Sequence, residues 1–225
     1  YKKREIEIHD AIKISGLTAE IFASVLKGMN LEVRQMNVLV CGGAGFIGSN
    51  FVRHMVTKYP HYKIVNIDKL TYAGNIDNLI DIENRPNYVF YQGDIVDQKF
   101  IDEIIVKEKI DSIVNFAAET HVDRSIHIGS REFVMTNTVG VQTLLDATRR
   151  HNLFKFVNIS TDEVYGSLEL GEQRMFTEET AFEPNVPYAA AKAGGDMLCR
   201  AYYNTFGVPV IVSHCSNNYG PYQFP

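Results

Sequence analysis

The stretch from Asn37 to Ser49, NVLVCGGAGFIGS, leaves this chain few folds to adopt. Val38, Leu39, Val40 and Cys41 form an unbroken apolar run, as a strand buried on both faces of a parallel sheet does. The run breaks into Gly42, Gly43, Ala44 and Gly45, and an apolar helical pattern begins at Phe46. Glycines at 42, 45 and 48 give G-x-x-G-x-x-G. In a strand–turn–helix unit these three provide a tight turn, close approach of backbone to a pyrophosphate, and close packing of helix on strand. The helix N-terminus that follows offers free N–H groups and a positive dipole end to phosphates. Asp68 ends the next expected strand, Lys63 to Asp68, and lies 20 residues beyond Gly48. A carboxylate there can accept hydrogen bonds from an adenosine ribose and repels a 2′-phosphate, which points to NAD rather than NADP.

From Met36 the pattern alternates strand and helix, which calls for a doubly wound parallel sheet, an NAD(P)-binding Rossmann fold. Strands are expected near 37–41, 63–68, 88–92, 111–115, 155–160 and 208–213, and helices near 46–58, 98–108, 131–150 and 187–206. Right-handed crossovers then place ligands at the carboxyl ends of the strands, where every motif of interest falls. Residues 1–35 stand outside this pattern. Ile6, Ile8, Ile12 and Ile14 suggest short extended pieces, and Thr18 suits the N-cap of a helix carrying Ile21, Phe22, Val25, Leu26 and Met29. This extension reads as the tail of an upstream domain, a packing helix or an in-frame leader.

A net charge of -5 argues against a nucleic-acid surface. Three cysteines, Cys41, Cys199 and Cys215, make an odd number without metal-ligand spacing, and two sit in strand-like apolar runs. Buried thiols in a reducing cytoplasm and no metal site are therefore expected. No 18-residue apolar span or signal-peptide core is visible, so no membrane partner is expected.

The strand ends carry the chemistry. DKLTYAGN, Asp68 to Asn75, is a polar turn suited to wrap the adenosine end of a dinucleotide. In Gly93-Asp94-Ile95, Asp94 either hydrogen-bonds an adenine amino group while Ile95 covers the ring, or caps the helix near 98. Ala117 and Ala118 let a cofactor lie against backbone, and Glu119, His121, Asp123 and Arg124 add a polar loop. Arg124 suits an ion pair or a substrate contact, and His121 reads as structural.

After the fifth strand come Ser160-Thr161-Asp162-Glu163-Val164-Tyr165. Adjacent carboxylates in a shielded cleft raise one another's pKa, leaving one acid and one base side by side. Both reach one substrate only if the strand has already turned into a loop or helix start. A plainer alternative has Thr161 cap a short helix with Asp162 and Glu163 in its first turn. Tyr188 and Lys192 then form Y-x-x-x-K, one turn apart on one helix face. A lysine ammonium beside the phenol lowers its pKa toward that of a usable base, and the same lysine can hold ribose hydroxyls.

With GGAGFIGSN, DKLTYAGN, NFAAETHVDRSI, STDEVYGS and CSNNYGPYQFP in place, residues 36–225 resemble the extended short-chain dehydrogenase/reductases, and within them the branch that dehydrates dTDP-glucose. The resemblance implies NAD-dependent oxidation at carbon 4, loss of water across carbons 5 and 6, and hydride return to carbon 6, giving a 4-keto-6-deoxy sugar. Tyr188 would deprotonate the carbon 4 hydroxyl with Lys192 beside it. Thr161 would orient that hydroxyl, Glu163 would take the carbon 5 proton, and Asp162 would protonate the leaving hydroxyl. Glu119 and Asn217 would contact substrate. Gly42, Gly45, Phe46, Ile47, Gly48, Asp68, Lys69, Thr71, Asp94, Ile95, Ala117, Ala118, Thr136 and Asn218 would line the dinucleotide site.

The resemblance also implies a homodimer through two helices per subunit, for which 98–108 and 131–150 are the candidates. Cys41 stands where the family commonly has Thr, and Ala189-Ala190-Ala191 replaces the serines usual inside Y-x-x-x-K. The chain stops inside SNNYGPYQFP, so only the start of a substrate region, 214–225, is expected beside the cofactor domain, as in a piece of a longer chain. Rival readings are a nucleotide-sugar 4-epimerase, which needs no Glu163; an NADP-dependent GDP-mannose dehydratase, which Asp68 disfavours; and a catalytically incomplete dinucleotide-binding fragment.

Overall fold

The computed structural model describes residues 35–127, 129–169 and 171–223, so the expectations for residues 1–34 lie outside it. Strands β1 (Asn37–Cys41), β2 (Lys63–Asp68), β3 (Tyr88–Gln92), β4 (Ser112–Asn115), β5 (Lys155–Thr161) and β6 (Val210–Cys215) form one sheet in the order β3-β2-β1-β4-β5-β6. All five pairings are parallel. The strand order reverses direction between β1 and β4, and a crevice opens there at the carboxyl ends.

Helix α1 (Phe46–Lys58) packs Phe51, Val52, Met55 and Val56 with Val38, Val40 and Ile64 on one face of the sheet. Leu39, Cys41, Val65 and Ile67 point to the opposite face. There they meet helix α2 (Gln98–Glu108), which contributes Ile101, Ile104 and Ile105. This alternation across β1 is why its sequence is apolar without interruption: neither face of the strand sees water.

The expected helix over 131–150 is not a single regular one. After a short helix α3 (Val122–His127), helix α4 (Arg131–Val134) widens into a π-helical segment, Met135–Gly140, and resumes as α5 (Val141–Arg150). The wide turn directs Asn137 back to the β4 loop, a tertiary demand that hydrophobic periodicity does not express.

Helix α6 (Pro187–Phe206) starts with proline in its first turn, where a missing N–H is harmless, and ends at Gly207 in the left-handed conformation. Its interior glycines disfavour helix by about 1 kcal/mol each relative to alanine. They permit close approach: a Cβ on Gly195 would collide with the Asn137 carbonyl, and Thr138 Oγ1 donates to the Ala191 carbonyl at 2.8 Å. Strand β6 starts two residues later than expected because Pro209 has no N–H; its carbonyl still accepts from Phe156 N at 3.0 Å.

Candidate active site

The glycine loop is shaped by contacts that side chains would destroy. Gly42 has φ of 78°, and a Cβ there would lie 2.5 Å from the Ala117 nitrogen. A Cβ on Gly48 would run into the backbone of Gly42 and Gly43, so this glycine seats α1 on the loop. Gly45 differs: its nearest neighbour would be the Gly42 carbonyl at 3.5 Å. Gly45 is also the N-cap of α1 and makes no side-chain cap, so no side chain takes up the N–H groups of the first turn there. Backbone donors beside a position with room fit a pyrophosphate.

Asp68 braces this loop from β2. Its Oδ2 accepts from Ala44 N at 2.9 Å and its Oδ1 from Leu70 N at 2.8 Å. Each oxygen keeps a further lone pair for a ribose hydroxyl. Lys69 pairs with Asp94 at 2.8 Å, and Asp94 also accepts from Val96 N. Asp94 is not the cap of α2. Asp97 fills that position and accepts from Phe100 N at 3.1 Å, because the chain makes a turn at Asp94 before the helix begins. The Ile95 side chain is buried in the core and packs close to Gly140. Thr71 is exposed in the turn after β2 and Thr136 half-buried in the π-helical segment.

Across the crevice, Ala117 N donates to Asn115 Oδ1 at 3.1 Å. Glu119 is clamped by Asn137, whose Oδ1 accepts from Glu119 N at 3.0 Å and whose Nδ2 donates to its carbonyl at 2.9 Å. Burial pushes the Glu119 carboxyl up, against the pull of Arg124 and Lys69. The Arg124 guanidinium stacks over the Tyr72 ring, 4.2 Å from its centroid, with His121 edge-on to the same ring.

Strand β5 ends at Thr161, and a short 3-10 helix, Asp162–Tyr165, begins at once. Thr161 caps it, its hydroxyl accepting from Glu163 N at 3.2 Å. The plain capping reading therefore describes the local structure, and the turn it makes also brings both carboxylates to one side of the strand. Burial and the neighbouring Asp162 raise the Glu163 pKa.

Tyr188 lies buried on α6 opposite this turn. Burial first, then the Glu163 charge, pushes its phenol above the usual range, while a hydrogen bond with Thr161 pulls it down. This corrects the expectation that Lys192 lowers the phenol in this state. Lys192 is only 6% exposed and donates to the Ile159 carbonyl at 2.7 Å, so β5 and not Tyr188 holds its ammonium. Asn217 is exposed beyond β6, and Asn218 is half-buried with Nδ2 donating to the Ser216 carbonyl at 3.0 Å. Cys41 and Cys199 are buried as expected, whereas Cys215 is half-buried and donates to the Ser160 carbonyl.

Sequence reasoning missed Asn137 and a polar row under the site: Asn115, Asn158, Ser160, Asp196 and His214. The available signal was polarity at positions that the strand and helix patterns bury.

A parallel sheet of this order, a glycine loop at its switch point and Y-x-x-x-K beside it define a dinucleotide-binding domain of the extended short-chain dehydrogenase/reductase class. A family model described as GDP-mannose 4,6 dehydratase matches residues 39–225, and the chain belongs to that family. It is 51% identical over 194 residues to a dTDP-glucose 4,6-dehydratase of Streptomyces niveus, covering 84% of this chain and 56% of the relative. A crystal structure of dTDP-glucose 4,6-dehydratase from Bacillus anthracis in complex with NAD matches with TM-score 0.77 and 50% identity, over 84% of this chain and 57% of that one. A UDP-glucose 4-epimerase from Thermotoga maritima, solved with UDP-glucose, matches with TM-score 0.74 but 30% identity, over 84% of this chain and 58% of that one. The chain thus spans a little over half the length of these relatives.

Proposed function

We propose that this chain is the cofactor-binding and acid–base part of an NAD-dependent dehydratase acting on dTDP-glucose. The observation that carries this reading is the Asp162–Glu163 pair, turned toward Tyr188 by the 3-10 helix at the end of β5. The higher identity to dehydratases than to an epimerase agrees with it.

The loop of Gly42, Gly45 and Gly48, with Phe46 and Ile47, holds the pyrophosphate of NAD. Asp68, Lys69, Thr71, Asp94 and Ile95 hold its adenosine end. Ala117, Ala118, Thr136, Lys192 and Asn218 line the rest. When bound, NAD supplies a hydride acceptor for carbon 4 of the sugar and a donor for carbon 6. Tyr188 removes the carbon 4 hydroxyl proton while Thr161 orients that hydroxyl. Glu163, whose raised pKa makes it a competent proton acceptor, takes the proton on carbon 5. Asp162 delivers a proton to the departing carbon 6 hydroxyl. Glu119 and Asn217 contact the sugar nucleotide.

Residues 36–225 form the cofactor domain, and 214–225 begin the substrate region. The free thiols of Cys41, Cys199 and Cys215 agree with a reducing cytoplasm. Exposed Val106 on α2 and Val134 on α4 support a homodimer through these helices, although most of their apolar residues face the sheet.

Mass spectrometry of the product from dTDP-glucose and NAD tests the reading. The expected product is lighter by one water. The assay is run on this chain and on one continued past residue 225. Unchanged substrate with both, or an isomer of equal mass, overturns it, the latter in favour of epimerisation.

A further inference from the structure

Asp196 sits on α6 four residues after Lys192, so the two side chains share one helix face. Between them they hold three consecutive residues of β5. Lys192 Nζ donates to the Ile159 carbonyl at 2.7 Å. Asp196 accepts from Asn158 Nδ2 at 3.1 Å on one oxygen and from Ser160 Oγ at 2.5 Å on the other. The second oxygen also lies 3.2 Å from Nε2 of His214 on β6, whose Nδ1 is 2.8 Å from the Tyr165 hydroxyl. Tyr165 is the last residue of the 3-10 helix that carries Asp162 and Glu163. The carboxylate thus holds one end of the segment that presents the acid–base pair directly and the other through His214.

We propose that Asp196 is the positioning residue of this site: it sets a buried negative charge one helical turn from Lys192 and fixes the end of β5 and the following 3-10 helix against α6. The inference deepens the proposed dehydratase function and rests on it for the meaning of the Lys192 charge.

Asp196 is 5% exposed, and a carboxylate that deep needs compensation from several donors. The charged and titratable groups facing it are Lys192 and Cys199 on α6, His214 on β6 and Tyr165 on the 3-10 helix, and Lys192 itself also faces Cys199 and, on β6, Cys215. Lys192 is the one fixed cation among them. Burial drives the Lys192 ammonium toward its neutral form, and Asp196 is the strongest of the groups opposing that drive. A neutral lysine would keep its bond to Ile159 but could not stabilise a phenolate on Tyr188. Buried among these partners, Asp196 acts through Lys192 and through Ser160 and His214.

The test follows the titration of the Lys192 side chain by heteronuclear NMR in lysine-labelled protein, assigned with Lys192→Arg. In wild-type protein Lys192 is expected to hold its proton at about pH 7 despite burial. Asp196→Asn keeps the shape and hydrogen-bonding reach but removes the charge. It should weaken the hold of Lys192 on its proton, so that the side chain titrates at lower pH than in wild type. Asp196→Glu keeps the charge and should titrate nearer to wild type. Equal titration of Lys192 in all three proteins overturns the inference. So does a neutral Lys192 in wild type at neutral pH, a result obtainable even if Asp196→Asn does not fold. The measurement needs no NAD. A wild-type protein that titrates as expected but binds no NAD sinks the proposed function alone, and NAD binding with Lys192 indifferent to Asp196 sinks this inference alone.

Discussion

Asn137 grips the backbone of Glu119 with both atoms of its amide, accepting from the N–H at 3.0 Å and donating to the carbonyl at 2.9 Å. Asn137 is 1% exposed, so the clamp is held from the interior side. Truncation by Asn137→Ala strands two backbone groups, each a loss of about 1–3 kcal/mol when buried without a partner. A destabilisation of about 2 kcal/mol or more is expected in urea unfolding with an unchanged m-value. A midpoint equal to wild type would show that the clamp is dispensable.

The middle and last glycines of the loop should respond differently to one methyl group. In Gly48→Ala the new Cβ meets the backbone of Gly42 and Gly43, so the loop or α1 must move. Loss of both thermal stability and NAD affinity is expected. In Gly45→Ala the Cβ has ordinary contact distance to the protein, nearest at 3.5 Å. Its stability should fall by about 1 kcal/mol or less, while NAD affinity falls at least about tenfold because the methyl occupies the phosphate's place. Equal NAD affinity in Gly45→Ala and wild type contradicts the assignment of that corner to the pyrophosphate.

Glu163 carries a raised pKa, so the folded chain holds this proton more tightly than the unfolded chain. That contribution is present below the ordinary glutamate pKa and is lost as pH rises through the higher folded value. Glutamine does not titrate. Glu163→Gln should therefore melt higher relative to wild type at about pH 7 than at about pH 4. With dTDP-glucose the variant should release no dehydrated product. A melting difference independent of pH would refute the electrostatic account.

Tyr188 in the free protein should resist ionisation, since burial and Glu163 both oppose the phenolate. Ultraviolet titration of wild type minus Tyr188→Phe isolates this phenol, and it should ionise only well above the ordinary tyrosine range. Repeating the titration with NAD should bring its pKa down, as expected of a base whose site is completed by the cofactor. Tyr188→Phe is expected to reduce turnover about 10²–10⁴-fold. A phenol that titrates as usual without NAD, or a variant of wild-type activity, would contradict its role.

Much of the fold was legible because a parallel sheet buried on both faces writes itself as apolar runs, and β1, β2 and β3 fall within the ranges read from the sequence. The loop glycines and the Thr161 cap were legible for a similar reason, since each is a local demand on backbone geometry. What escaped was tertiary. The π-helical turn directs Asn137 back to Glu119 in the loop after β4, and periodicity inside one helix carries no such information. Asp97 displaced Asp94 as the cap through a turn that either aspartate could have made. Asp196 gains its partners only where β5 and β6 pack against α6, which no pattern along the helix expresses.

Asn115 and Asn158 stand opposite each other in the pairing of β4 with β5, joined by a bond of 2.9 Å from Nδ2 to Oδ1. Apolar strands alone tolerate sliding by two residues, because the same faces stay buried. Such a slip here would part the two amides and leave polar atoms stranded in the interior. The asparagine pair therefore works as a ratchet tooth between neighbouring strands. In the register it favours, the loops at the carboxyl ends of the two strands lie level with one another.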